Sequence, residues 1–374
     1  MPLSILLDYR PALRQRTGVG EYLHELARAV VASAPAGETL HLFSSSWKDR
    51  LDPAAVPGAD VVDRRVPVRL LNFAWHRLGW PPVESLTGRR FAVVQSGHPL
   101  LIPARDAARV VTIADLDFLD HPERTRAEIR RDYPALAASH ARRADRIVVI
   151  SRATARDVEQ RLEVPASRIS ICYPGGPSWA PRTSEPAAAD ACLLFLGTLE
   201  PRKNLGVLLD AYERLIARVP AAPPLVLAGR VSDAAGDIVR RTKQGALAGR
   251  VVLTGYLPDD QRERWYRRAI AFVMPSHYEG FGMPVLEALT VGVPVVAADR
   301  GALPEVVGDA GRLVPPDDPA GMASALSDLL TDPEQRNRLR AAGWAQARRF
   351  RWEDAARSVR EAWGLAIEAR ARRG

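Results

Sequence analysis

Glu279-Gly-Phe-Gly-Met-Pro-Val-Leu-Glu287 follows an apolar run, Ala269 to Met274, whose length and composition predict a buried strand ending near Pro275. Two glycines flank Phe281 in the loop Ser276 to Gly282, so the backbone there can approach a ligand closely or take positive φ. Pro284 suits the first turn of a helix, where its missing N–H costs little, and Val285, Leu286, Ala288 and Leu289 carry that helix onward. Glu279 therefore falls in a strand-to-helix loop and Glu287 near the first helical turn. Both are expected at the carboxyl edge of a parallel sheet, where open α/β sheets bind ligands. N–H groups at a helix start favour anionic atoms, whereas two carboxylates repel phosphate. Sugar and ribose hydroxyls thus suit the carboxylates, and phosphate falls to backbone N–H groups and nearby cations. An ordinary strand, loop and helix with one capping and one solvated Glu has the same spacing.

Outward from this stretch, strands and helices alternate. Strands are predicted at Cys192 to Leu196, Leu225 to Ala228, Val251 to Leu253 and Val293 to Ala298. Helices are predicted at Leu205 to Arg218, Ala235 to Ala248, Asp259 to Arg268 and Ala320 to Leu330. A Pro/Ala-rich stretch, residues 178–190, reads as a linker. Before it, a second alternating run has strands at Ser4 to Asp8, Leu40 to Ser44, Asp60 to Asp63, Phe91 to Val94, Arg109 to Ile113, Arg146 to Ile150 and Ile169 to Tyr173. Two such runs predict two doubly wound, Rossmann-like parallel-sheet domains facing a central cleft, at residues 1–177 and 191–350.

In the first run, Thr17-Gly18-Val19-Gly20 opens an amphipathic helix, a usual way to bring N–H groups to phosphate or sugar. It is not G-x-G-x-x-G, so a plain turn stays open. Asp115 and Asp117 form a D-x-D pair after a strand. Such a pair can hold a metal bound to a nucleotide diphosphate, but its distance in sequence from the nucleotide stretch favours a structural or acceptor-side role. Between Arg64 and Pro82, aromatic and aliphatic residues interleave with Arg65, Arg69, His76 and Arg77. That segment is expected to be half-buried against its domain, with a lipid headgroup interface as the other reading. Glu123 to Arg143, which includes Arg124, Arg126, Arg130 and Arg131, is expected to be a helix with a solvated basic face.

With 374 residues the chain is long enough for two domains, and 52 basic against 44 acidic side chains give a net charge of +8, which attracts anionic partners without choosing among them. Only Cys172 and Cys192 are present, in no metal-ligand spacing, so neither a disulfide framework nor a zinc site is implied. No apolar run approaches the ~20 residues of a membrane span. The chain opens directly on a strand with no secretory pattern, so a cytoplasmic location is expected.

The second half resembles the retaining glycosyltransferases of family 4. The resemblance rests on G-T-L-E-P-R-K-N at Gly197 to Asn204, E-x7-E at Glu279 to Glu287, G-V-P-V-V-A at Gly292 to Ala297, and A-L-P-E-V-V-G-D-A-G at Ala302 to Gly311. The first half is similar more loosely, through T-G-V-G-E-Y at Thr17 to Tyr22, A-D-L at Ala114 to Leu116 and R-I-V-V-I-S at Arg146 to Ser151. The resemblance implies a GT-B fold and an enzyme moving a hexose, with retained configuration, from a nucleoside diphosphate sugar such as GDP-mannose or a UDP-sugar. The acceptor would be a hydroxyl of a glycan or lipid-linked molecule, as in polysaccharide biosynthesis. No cofactor or metal and no nucleic acid partner is expected; peripheral contact with an anionic inner membrane face stays open.

The resemblance assigns catalysis to Glu279, Asp115, Arg202 and Lys203. Donor binding would fall to Gly18, Gly20, Arg202, Lys203, Gly280, Phe281, Gly282 and Glu287, with Glu287 on the ribose. Residues 351–374, a helix led by Trp352, would cross back onto the first domain. Two departures stand out: Thr198 where many relatives have Arg, and Ala114 where many have His. His98 and His121 are the alternatives for that His. A nucleotide-sugar epimerase and a non-catalytic nucleotide-sugar-binding protein are the rival readings.

Overall fold

The computed structural model describes residues 3–13, 16, 18–124 and 127–373. Thr17 of the glycine loop and Arg126 of the basic helix lie outside the described residues. The chain divides into two compact units, the first made of residues 1–175 and 351–374 and the second of residues 176–350.

The first unit is built on seven strands: β1 (Leu3–Asp8), β2 (Glu38–Ser45), β3 (Asp60–Arg64), β4 (Val93–Ser96), β5 (Ala108–Ile113), β6 (Arg146–Val149) and β7 (Ile169–Ile171). They pair in parallel in the order β3-β2-β1-β4-β5-β6-β7, with Ile5 opposite both Leu40 and Val93. Helices cover both faces, so the middle of β1 is three apolar residues in succession, Ile5, Leu6 and Leu7, all buried. On one face Val111, Ile113, Ile147 and Val149 pack with Ala137, Ala141, Val158 and Leu162 of two helices. The opposite face of β4 and β5 meets the final helix, Trp352–Ala371. There the buried Trp363 Nε1 donates to Gln95 Oε1 at 2.6 Å, and Gln95 Nε2 donates to Thr112 Oγ1 at 3.0 Å. Arg360 grips Glu38 with Nε 2.9 Å from each carboxylate oxygen.

The segment expected to be half-buried is a helix, Val68–Phe73, continued by a π-helical turn, Ala74–Leu78. Leu71, Trp75 and His76 face inward, while Leu70, Phe73, Leu78 and Trp80 remain exposed.

The second unit contains β8 (Cys192–Leu196), β9 (Leu225–Ala228), β10 (Val251–Gly255), β11 (Ala269–Met274), β12 (Val295–Ala298) and β13 (Gly311–Val314), parallel in the order β10-β9-β8-β11-β12-β13. The strand order reverses between β8 and β11, so the loops leaving those two strands open the crevice of the sheet's carboxyl edge. The helix expected over Ala235 to Ala248 is shorter, Gly236–Arg241, followed by a 3₁₀ turn at Gly245–Leu247. Residues 178–190 hold no helix or strand, yet they are fastened to this unit. Arg182, buried, donates to Ala269 O at 2.6 Å, and Glu185 takes a bidentate contact from Arg336, 2.8 Å on each oxygen. Burial lowers the Arg182 pKa to about 10. The stretch read as a linker from its Pro and Ala content is thus held along the second unit by two arginine contacts in place of regular secondary structure.

Candidate active site

The β8–β11 crevice brings together residues 76 positions apart in sequence. After β8, Pro201–Lys203 forms one 3₁₀ turn, and Asn204 closes it at φ 52°, a left-handed conformation that Asn tolerates better than most residues. The Asn204 side chain donates to Pro275 O at 3.2 Å and to Pro316 O at 2.8 Å, fixing the turn against the loops that follow β11 and β13. The main chain adds a bond from His277 N to Arg202 O at 3.0 Å.

Those ties set Lys203 Nζ 2.6 Å from Glu279 Oε1 and Arg202 3.5 Å from Glu279 Oε2. Ser276 Oγ donates to Glu279 Oε1 at 2.7 Å, and Arg202 also donates to Tyr278 O at 3.1 Å. Burial works to raise the Glu279 pKa, but Lys203 and Arg202 outweigh it, and the carboxyl is held below its ordinary value. The result is an ionised, buried carboxylate between two cations at the mouth of a doubly wound sheet. Such a group can position hydroxyls, and the two cations suit negative charge that develops beside them.

The helix Met283–Val291 begins at Gly282, whose φ of 104° excludes most side chains; its cap makes no side-chain hydrogen bond. Gly280 and Phe281 are buried in the loop before it, Phe281 edge-on to Phe350 with ring centroids 5.4 Å apart. Glu287 lies in the second turn of this helix and is 4% exposed. Its Oε1 is 3.3 Å from Arg262, and Oε2 has no hydrogen-bond partner among the described residues. Burial raises the Glu287 pKa, and Arg262 offsets only part of that rise. A buried carboxyl with one unspent acceptor is suited to a diol.

The remaining expected residues lie in the first unit. Gly18 caps the helix Val19–Ala32 and is exposed; Gly20 sits where a Cβ would come within 2.5 Å of Pro11 O. Asp115 accepts the Asp117 backbone N–H at 3.3 Å, a local turn into the helix Asp117–Asp120. Among the described residues no group of three His, Cys, Asp or Glu side chains is arranged to hold a metal. His121 is on the surface, 3.2 Å from Glu123, which suits it poorly to a site. His98 lies at the carboxyl edge between β1 and β4, 3.3 Å from Asp8. Asp8 is fully buried and receives Arg10 through two 2.8 Å contacts; burial tends to raise its pKa, but Arg10 and His98 prevail and hold it well below the ordinary carboxylate range.

Sequence reasoning passed over Asp8, Arg10, Ser276 and Asn204. Ser276 stands three residues before Glu279, a spacing that offered the signal. The Asp8–Arg10–His98 group is assembled by strand order, which no local pattern reports.

The family described as Glycosyl transferases group 1 matches residues 190–332, and that described as Glycosyltransferase Family 4 matches residues 16–175. An O-antigen chain mannosyltransferase B of Escherichia coli is 28% identical over 97% of this chain and all of its own length. A D-inositol 3-phosphate glycosyltransferase 2 of Catenulispora acidiphila is 31% identical over 96% of this chain and 92% of its own. Among solved structures, Anabaena Alr3699/HepE in complex with UDP and glucose superposes with a TM-score of 0.71 at 18% identity, covering 96% of this chain and 98% of that one. The two Rossmann-like sheets and this likeness make the fold GT-B.

Proposed function

Because the chain belongs to the group 1, or family 4, glycosyltransferases, we propose that it transfers a hexose from a nucleoside diphosphate sugar, GDP-mannose or a UDP-sugar, to a hydroxyl of a glycan or lipid-linked acceptor. The observation that carries this reading is the convergence of Arg202 and Lys203 on Glu279 at the switch point of the second sheet. Mannosyl transfer is favoured by the mannosyltransferase among the relatives. A diphosphate leaving group acquires charge as the glycosidic bond breaks, and fixed cations lower that barrier. Retention follows a front-face course, in which the departing phosphate, held by Arg202 and Lys203, takes the proton of the incoming hydroxyl. Glu279 holds Lys203 in place and meets donor hydroxyls; Glu287 takes the ribose diol. These residues need no metal to balance the phosphate charge.

The exposed residues Leu70, Phe73, Leu78 and Trp80, interleaved with exposed Arg65, Arg69 and Arg77, support peripheral contact with an anionic membrane surface. No helix among the described residues is long and apolar enough to cross a membrane.

Incubation with GDP-mannose, UDP-glucose and UDP-galactose, following nucleotide release and the anomeric configuration of the product, tests the reading. Unchanged turnover in Lys203→Ala and Glu287→Ala would remove the assigned donor site.

A further inference from the structure

A second concavity lies wholly within the first unit, a cavity of about 550 Å³ beside the carboxyl ends of β1 and β2. Its lining includes Tyr9, Arg16, His24, Arg28, Arg50 and Asp52. Tyr9 and His24 are buried, and the Tyr9 hydroxyl lies 2.6 Å from His24 Nδ1, making a rigid polar floor. Around it stand three guanidinium groups against one carboxylate, and Asp52 already spends an oxygen on Ala54 N at 2.9 Å. Arg28 and Arg50 rest on carboxylates outside the lining, Glu25 at 3.0 Å and Asp63 at 2.8 Å. Arg28 is about half exposed and its pair with Glu25 holds it weakly, so it can turn. Arg50 is also about half exposed, and its contact with the nearly buried Asp63 uses one nitrogen and leaves the rest of its fork of donors to a ligand.

A neutral sugar needs carboxylates, amides and mixed donors and acceptors. Three forks of N–H donors with one committed carboxylate instead select a group of acceptor oxygens carrying negative charge. The volume suits a ligand of monosaccharide size or somewhat larger. We propose that this cavity binds an anionic sugar, one bearing phosphate or carboxylate, through Arg16, Arg28 and Arg50. Its role as the subsite for a charged acceptor rests on the transferase reading above; anion binding does not.

The test titrates the full chain, with GDP saturating the donor site, with glucose 1-phosphate, glucuronate, inorganic phosphate and glucose, by calorimetry and thermal shift. The expected result is binding of glucose 1-phosphate or glucuronate, but not of glucose, weakened about tenfold or more in Arg28→Gln/Arg50→Gln. The GDP affinity of that variant should stay within about twofold of wild type, since its substitutions lie outside the donor site. Glucose 1-phosphate and glucuronate distinguish phosphate from carboxylate as the recognised charge. Arg16→Gln is the second variant, for use if the double variant folds poorly. Anion binding that survives these substitutions, that is lost when GDP is present, or that is no tighter than glucose binding overturns the proposal. If GDP does not bind, UDP takes its place; failure of both would strike the donor assignment and leave the anion titrations, repeated without nucleotide, to decide this one.

Discussion

Lys203 Nζ and Glu279 Oε1 are 2.6 Å apart, and both side chains are almost wholly buried. This charge pair has two separable consequences. Removing Lys203 leaves Glu279, among the described residues, with the side chains of Arg202 and Ser276, at a cost of about 3 kcal/mol in stability. It also removes a cation from the leaving phosphate, which should reduce kcat/KM about 10²–10³-fold. The double variant Lys203→Met/Glu279→Gln leaves no uncompensated charge, so its thermal midpoint should recover while activity stays lost. Recovery of activity together with stability would make the pair a packing device.

Glu287 should behave in the opposite sense. Its folded-state pKa is raised, chiefly by burial, so the stability this group contributes is present below the unfolded value and is lost as pH rises through the folded one. Glu287→Gln is therefore expected to be at least as stable as wild type at pH 8. It should bind GDP or UDP about tenfold more weakly, because one ribose acceptor is lost. Thermal melts and nucleotide titration of the same preparation check both; unaltered nucleotide affinity would clear Glu287 of the ribose.

Most strands were legible because both faces of each sheet are covered, which makes strands such as Cys192–Leu196 and Ala269–Met274 continuous apolar runs. The Glu279 loop was legible for a related reason: glycines and a proline mark where backbone must turn. The helix Pro333–Ala347 and β13 were not read, since the first spreads few apolar residues among Gln, Asn and Arg, and the second is four residues including Gly311 and Arg312. Strand order was hidden as well. Arg10 beside Asp8 looks like an ordinary loop residue until β4 is set next to β1 and brings His98 to them.

The aromatic stretch makes a separate prediction. Replacing Leu70, Phe73 and Trp80 by Ser alters only side chains that are about half or more exposed, so the melting curve should hardly move. Sedimentation with vesicles of phosphatidylglycerol and phosphatidylcholine should fall severalfold. Equal pelleting of both proteins would leave the patch without a membrane role.

Gly20→Ala would set a Cβ 2.5 Å from Pro11 O, a backbone atom that cannot yield without moving the turn after β1. A loss of about 1–3 kcal/mol is expected. Gly206→Ala is the matched control, because nothing lies within 4 Å of its Cβ and it begins a helix; it should be neutral or stabilising by about 0.4–1 kcal/mol. Chemical denaturation of both reads the difference, and equal midpoints would mean the helix start can shift away from Pro11.

Acid should weaken the first unit through two histidines. His76 has its ring 5.4 Å from His98 and 6.4 Å from His140, and neither of its ring nitrogens has a partner among the described residues. Burial, with His98, Arg10 and His140 adding positive charge, lowers its pKa from 6.5 to about 2; Asp132 opposes this without prevailing. Burial, with Arg143 next, lowers His140 to about 4. Both folded values are depressed, so the unfolded chain takes up protons first as pH falls below 6.5. The stability tied to neutral histidine is full above that value. Each ring then contributes a loss of up to about 1.4 kcal/mol per pH unit on acidification. His76→Phe keeps the ring shape, removes one titrating group and removes two unsatisfied nitrogens. Its thermal midpoint should exceed that of wild type, by a margin that widens between pH 6.5 and 4.5. A margin that stays constant across that range would show that His76 takes up its proton equally well folded and unfolded, and that its burial carries no electrostatic cost.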